Sequence, residues 1–222
     1  GYLSLAANTT GDRNVAIGDQ AGNSNTTGRL NTFIGSKDSP GWAVANYNTT
    51  GSCNVAIGNG SLKSNTTADH NTAVGYNSLW SNTTGTENTA VGKDALKLNT
   101  TAIQNTALGT SALRDNTTGA CNTAIGNYAL YSNTTANNNN AFGYNALGLN
   151  TTGTSNVAMG RNALLNNTTA DSNTAVGYNS LCANTTGAGN TAVGSLSLDA
   201  NTEGGSNTAV GFQSLTANTT GA

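Results

Sequence analysis

The chain repeats itself every 17 residues, and a period of this length limits the fold more tightly than composition does. The stretch 71–87, NTAVGYNSLWSNTTGTE, begins again at Asn88. Repeats open with Asn at 14, 31, 54, 71, 88, 105, 122, 139, 156, 173, 190 and 207. One interval is longer: Asn31 to Asn54 spans 23 residues, a six-residue insertion lying within 36–47 and carrying Pro40 and Trp42. Counting from the opening Asn, position one is always Asn, position four is always apolar and position five is always Gly. Position nine is Leu in nearly every repeat, preceded by Ala or Ser, and positions twelve to fourteen read Asn-Thr-Thr in all but one.

Two strongly apolar sites per 17 residues are too few for a pair of packed helices. Asn, Thr and Gly are also poor helix formers. Short β-branched runs broken by Gly and Asn predict strands and turns. The pattern therefore predicts an all-β parallel β-solenoid of about thirteen 17-residue coils, a single array over 1–222 excerpted from a longer fibre. Each coil is expected to hold one strand at Asn-Thr-Ala-Val and a second short strand ending at Leu. Stacked at about 4.8 Å, the coils make a rod roughly 60 Å long, with Val/Ile and Leu as core columns and Asn as ladders. If position four points inward, position two does so as well and position three points out. Position three is Ala in eleven of twelve repeats, the exception being Phe33, and an outward alanine stripe predicts contact with another chain.

Charge removes several function classes. Only 8% of residues are charged and the net charge is −2, which leaves no electrostatic basis for binding nucleic acid or an anionic membrane. The longest apolar runs fall far short of a membrane span. Cys53 and Cys121 share a repeat position four coils apart, roughly 19 Å at the inter-strand spacing, beyond disulfide reach. His70 is the only histidine, so a His-centred triad or zinc cluster cannot form within one chain. Asp12, Asp69 and Asp171 share position sixteen in coils that are not neighbours, so they make no calcium ladder. No catalytic residue, metal ligand or cofactor site is expected, and the chain does not read as an enzyme.

The motif Asn-Val-Ala-Ile-Gly at 14–18 and 54–58, with Asn-Thr-Ala-Val-Gly elsewhere, resembles the repeat of trimeric autotransporter adhesin heads. Similar repeats occur in bacteriophage and viral fibre proteins. The resemblance covers the whole chain and implies a left-handed parallel β-roll in a structural fibre, adhesive or scaffold, outside the cell or on a cell or virion surface. Those heads use a shorter repeat, the extra residues here falling around Asn-Thr-Thr-Gly, so a homo-oligomer is expected either as a trimer or as a filament through the Ala face. Ice binding is the rival reading, from stacked Thr at positions two, thirteen and fourteen, although Val15, Val55, Asn140 and Val157 interrupt position two. A third reading is carbohydrate binding through Tyr2, Tyr76, Tyr144, Tyr178 and Phe212 at position six, with Trp80 and Tyr131 at position ten.

Two groups of candidate site residues follow. The insertion offers Lys37, Asp38 and Trp42 as a binding loop, since solenoid insertions emerge on one face. Asn-Thr-Thr supplies N-glycosylation acceptors at Asn8, Asn25, Asn48, Asn65, Asn82, Asn99, Asn116, Asn133, Asn150, Asn167, Asn184 and Asn218. Covalent N-glycans there would give a charge-poor fibre its solubilising coat. The competing expectation is a structural Asn ladder, because Asn201-Thr202-Glu203 keeps the Asn and first Thr but loses the acceptor.

Overall fold

Position five explains why every coil turns where it does. In a computed structural model describing residues 1–37 and 41–221, Gly92 has φ +136°. A Cβ there would lie 2.5 Å from the carbonyl oxygen of Gly109 in the next coil. Both the backbone conformation and the close approach between coils exclude a side chain. The strand before this turn is correspondingly short, three residues at positions two to four.

The chain is all-β, with no helix among the described residues, and forms two compact units, Gly1–Ser111 and Ala112–Ala222. The first unit contains β1 (Val15–Ile17), β2 (Thr32–Ile34), β3 (Val55–Ile57), β4 (Thr72–Val74), β5 (Thr89–Val91) and β6 (Thr106–Leu108). These pair in chain order, all parallel, with like positions opposite one another: Val15 faces Thr32, Phe33 faces Ala56, Val74 faces Val91. The second unit repeats the arrangement with β7 (Thr123–Ile125), β8 (Asn140–Phe142), β9 (Val157–Met159), β10 (Thr174–Val176), β11 (Thr191–Val193) and β12 (Thr208–Val210). They too pair in order and in parallel. Each unit is thus a parallel β-solenoid with a 17-residue coil.

The expected second strand is absent. Residues at positions seven and nine, such as Asn77 (φ 54°) and Leu79 (φ 50°), sit in the left-handed region, which curls this side into turns. Stacking persists without extension: the Leu79 N–H donates to the Ala95 carbonyl at 3.0 Å and the Ser81 N–H to that of Lys97 at 2.9 Å. A left-handed Leu costs about 1–2 kcal/mol. Full burial of the same side chain contributes about 1.5–3 kcal/mol, so the buried Leu column offsets its own backbone strain.

Strand orientation is the reverse of the expected one. The position-three alanines from Ala56 to Ala209 are buried and Ala16 is half-buried, whereas positions two and four are half-buried or exposed. The Ala face is therefore interior and cannot be the contact with another chain. Space is the reason: Leu at position nine fills the narrow coil, leaving room for only a methyl group opposite it. Phe33 shows the rule by exception. It is fully buried at position three, and the neighbouring position-nine residues are Gly22 and Ala45 instead of Leu. A Cβ on Gly22 would come within 2.4 Å of the Phe33 ring, so the ring occupies the volume that Leu fills elsewhere.

Truncating Phe33→Ala is expected to destabilise the fold by about 3–5 kcal/mol, because Gly22 and Ala45, the position-nine residues of the two coils beside the ring, have too little side chain to fill the cavity. Adding Gly22→Leu should restore much of that loss, since Leu is the residue this column accommodates. Gly22→Leu alone should be destabilising. Denaturant unfolding of the three variants measures the coupling.

Candidate functional site

Beside the buried Leu and Ala columns, the interior of each coil holds buried asparagines. Position-twelve asparagines from Asn25 to Asn201 are fully buried and stack into ladders. In the second unit, Asn133 Nδ2 donates to Asn116 Oδ1 at 2.9 Å and to the Ala136 carbonyl at 3.1 Å. Asn150 repeats this with Asn133 Oδ1 and the Gly153 carbonyl, both at 2.9 Å. The position-one asparagines make a second ladder of different chemistry: the Asn139 backbone N–H donates to Asn122 Oδ1 at 3.0 Å, and Asn122 Nδ2 donates to the Ala136 carbonyl at 2.8 Å. One carbonyl per coil, here that of Ala136, thus receives two side-chain donors and ties the two ladders together.

This geometry corrects the glycosylation reading at Asn25, Asn48, Asn65, Asn82, Asn99, Asn116, Asn133, Asn150, Asn167 and Asn184, all fully buried in the folded chain. Where the ladder is seen in full, as at Asn133, both N–H groups of Nδ2 are committed to partners, and the nitrogen that would carry a glycan faces the interior. Asn8 and Asn218 are half-buried members of the same ladders. The Asn201 coil explains the sequence rule. Asn201 makes the same two ladder bonds, Thr202 Oγ1 donates to the Thr219 carbonyl at 3.2 Å, and Glu203 stands exposed where the second Thr would be. The turn uses Asn and the first Thr; the third residue is free.

Three surfaces remain. The first is the outward face of each sheet, where positions two and four form parallel columns. In the first unit these are Val15, Thr32, Val55, Thr72, Thr89 and Thr106 beside Ile17, Ile34, Ile57, Val74, Val91 and Leu108. In the second, Thr123, Asn140, Val157, Thr174, Thr191 and Thr208 stand beside Ile125, Phe142, Met159, Val176, Val193 and Val210. No charged residue interrupts either face. Val91 is 38% exposed and Met159 45%.

The second surface surrounds the insertion. Trp42 does not hang free: Lys63 Nζ lies 3.7 Å from its ring centroid and 4.3 Å from that of Trp80, and the two indoles are 6.4 Å apart. Tyr47 approaches the same ammonium at 5.5 Å. The insertion is thereby pinned to the position-ten column by its own cation–π clamp, and Ala43, Val44 and Ala45 beyond it are fully buried. Partial burial lowers the Lys63 pKa from its ordinary value. Lys37 is exposed, its N–H donating to the Asp19 carbonyl at 3.1 Å, and Asp38 lies outside the described residues. The sequence signal for the clamp was Lys63 beside Trp80 in one repeat column.

The third surface is a tyrosine cluster in the second unit. Tyr128 meets Tyr131 at 5.5 Å and 62°, and Tyr144 edge-on at 6.2 Å and 86°. Arg161 lies about 6 Å from both Tyr144 and Tyr178. The cysteines are all free thiols. Burial, and secondarily the Asp199 carboxylate, raise the Cys182 pKa from its ordinary value, which leaves little thiolate at neutral pH. Among the described residues no cluster of three His, Cys, Asp or Glu side chains is placed to hold a metal ion, and no helix is long and apolar enough to cross a membrane. No family model, curated protein or solved structure matches this chain.

Cutting the ladder tests its structural role. Asn133→Ala strands Asn116 Oδ1 and one N–H of Asn150, and is expected to cost about 2–5 kcal/mol, read as a lowered denaturation midpoint. When folded chain is produced in a cell that N-glycosylates, its intact mass should show bare asparagines from Asn25 to Asn184.

Proposed function

We propose that this chain is a structural subunit of a fibre on an extracellular, cell or virion surface, in which copies associate through the outward faces of their sheets. The observation that carries this reading is the uncharged pair of columns at positions two and four. Monomeric proteins seldom leave contiguous apolar patches of this kind in water. Six stacked strands in each unit present Val, Ile, Leu, Phe or Met side by side, regularly spaced and rigidly held by the parallel ladder. A like face on a second copy matches that spacing. The resemblance of the Asn-Thr-Ala-Val-Gly repeat to adhesin heads and virus fibres supports the same role, with adhesion or scaffolding as the task and no catalysis.

Ice binding gains one specific observation, because the Thr column at position two faces outward instead of inward. An ice-binding face must also be flat and uniform. Here Val15, Val55, Asn140 and Val157 break the Thr column, and Phe142 and Met159 rise beside Val176 in the adjoining one. The surface is better suited to interlocking with protein than to lying against a crystal plane.

Substituting Ile57→Lys and Val74→Lys together should leave the circular dichroism spectrum of the folded chain unchanged, because both side chains point outward. The same pair should shift the sedimentation profile from oligomer to monomer. A wild-type chain that sediments as a monomer at high concentration would overturn assembly through this face. Thermal hysteresis of the soluble protein separates the rival: a large freezing-point gap would favour ice binding.

A further inference from the structure

On the turn side of the second unit, away from strand positions two to four, the repeat opens a pocket of about 300 Å³ lined by Tyr128, Tyr131, Asn145, Gly148, Leu149 and Leu165. A single change in the repeat creates it. Position ten carries Arg114, Tyr131, Leu165 and Cys182 in other coils of this unit, but Gly148 in this one, so the column has a one-residue gap walled by Tyr131 and Leu165. Gly148 is itself buried and forms the floor. Tyr128 and Tyr131, inclined at 62°, make a concave aromatic corner. Leu149 and Tyr128 remain 46% and 40% exposed at the mouth.

The polar groups complete the description. Asn145 is half-buried, and among the described residues nothing hydrogen-bonds its side-chain amide. Arg114 donates to the Tyr131 hydroxyl and pairs with Asp115 at 3.1 Å, which fixes the phenol and neutralises that guanidinium. The lining thus combines aromatic and aliphatic walls, one uncommitted amide that both donates and accepts, and no unpaired charge.

We infer that this pocket binds a neutral hexopyranose unit of an oligosaccharide. A pyranose ring has an apolar C–H face that packs on tyrosine and a rim of hydroxyls that an amide and a phenol can hydrogen-bond. A purely apolar ligand would leave the Asn145 amide desolvated without a partner, and an acidic sugar would find no cation among the lining residues. The inference does not depend on assembly of the chain, because positions seven, ten and eleven take no part in the outward sheet face.

Ligand-observed saturation-transfer NMR on the full chain, with cellotetraose and chitotetraose as probes, tests it. One of the two should receive saturation on its ring C–H protons, with a dissociation constant on the order of 1 mM, as suits a ligand of about a dozen contacting heavy atoms. Gly148→Leu places at this position the residue type found at Leu165 in the same column; its Cβ would meet Leu165 Cδ1 at 3.1 Å and the Asn145 carbonyl oxygen at 3.2 Å, a shift of a few tenths of an ångström, so the variant should keep the wild-type circular dichroism spectrum while filling the pocket and abolishing transfer. Tyr128→Ala, which leaves the backbone turn intact, should weaken binding about tenfold. Tyr76→Ala, in the first unit, should change nothing. Absence of transfer to either sugar, or transfer that survives Gly148→Leu, overturns the proposal. Saturable binding of phenol without binding of either sugar also overturns it, in favour of a socket for an apolar side chain of another protein.

Discussion

The structure depends on burying asparagine. A 17-residue coil is too narrow to hold a conventional apolar core, and its sharp corners turn backbone carbonyls inward, where water cannot reach them. Each such carbonyl must find a donor inside the coil or cost several kcal/mol. The two asparagine ladders supply those donors. Position twelve bonds to the carbonyl of its own turn and to the asparagine of the preceding coil, and position one caps the same carbonyl from the other side. An Asn side chain offers two donors and one acceptor of two lone pairs at the end of a short stem, which is what a repeated, one-directional stack consumes. Gln would reach too far and Asp would place like charges one coil apart.

Narrowness then decides everything that faces outward. With Leu filling the turn side, the strand can present only alanine to the interior, and the β-branched residues at positions two and four are displaced to the surface. The uncharged columns that define the proposed assembly face, apolar at position four and mostly Thr at position two, are therefore a consequence of how little space the asparagines and leucines leave. Phe33 belongs to the same accounting of volume: it enters the core only where Gly22 and Ala45 vacate the Leu column. The tyrosine pocket follows this logic on the turn side, where Gly148 stands between Tyr131 and Leu165 in the position-ten column.

Strain is distributed regularly through the stack. Positions seven, nine and seventeen adopt positive φ in coil after coil, with side chains as large as Leu, Tyr and His. Each is tolerated because the bent backbone is held between neighbours above and below, so the cost per coil is offset by burial and inter-coil hydrogen bonds that exist only in the stacked array. Such coils gain little individually and much collectively, as expected of a repeat architecture whose stability resides in its interfaces.

The 17-residue period, the invariant Gly of position five, the strand at Asn-Thr-Ala-Val and the stacking of Asn into ladders were all determined by the sequence itself, because periodicity and residue chemistry are local properties; the second strand expected before Leu was not, since that side curls into left-handed turns. The insertion was equally legible, whereas Asn201-Thr202-Glu203 offered the structural ladder only as a rival to glycosylation, because the sequence does not show which way the Asn side chain points. What only the tertiary structure decided was which way the strand faces. A period-two pattern is symmetric under a flip, and hydrophobicity alone assigns Val inward and Ala outward. The correct choice rests on interior volume, which depends on left-handed corners at Asn77, where the residue type suits them, and at Leu79, where it does not. The one written clue was the absence of Leu from position nine in the two coils around Phe33, a compensation that becomes readable once the core is known to lie between them. The pocket at Gly148 was hidden for the same reason: a missing side chain has meaning only when its neighbours in the stack, three-dimensional and 17 residues away, are seen to stand on either side of it.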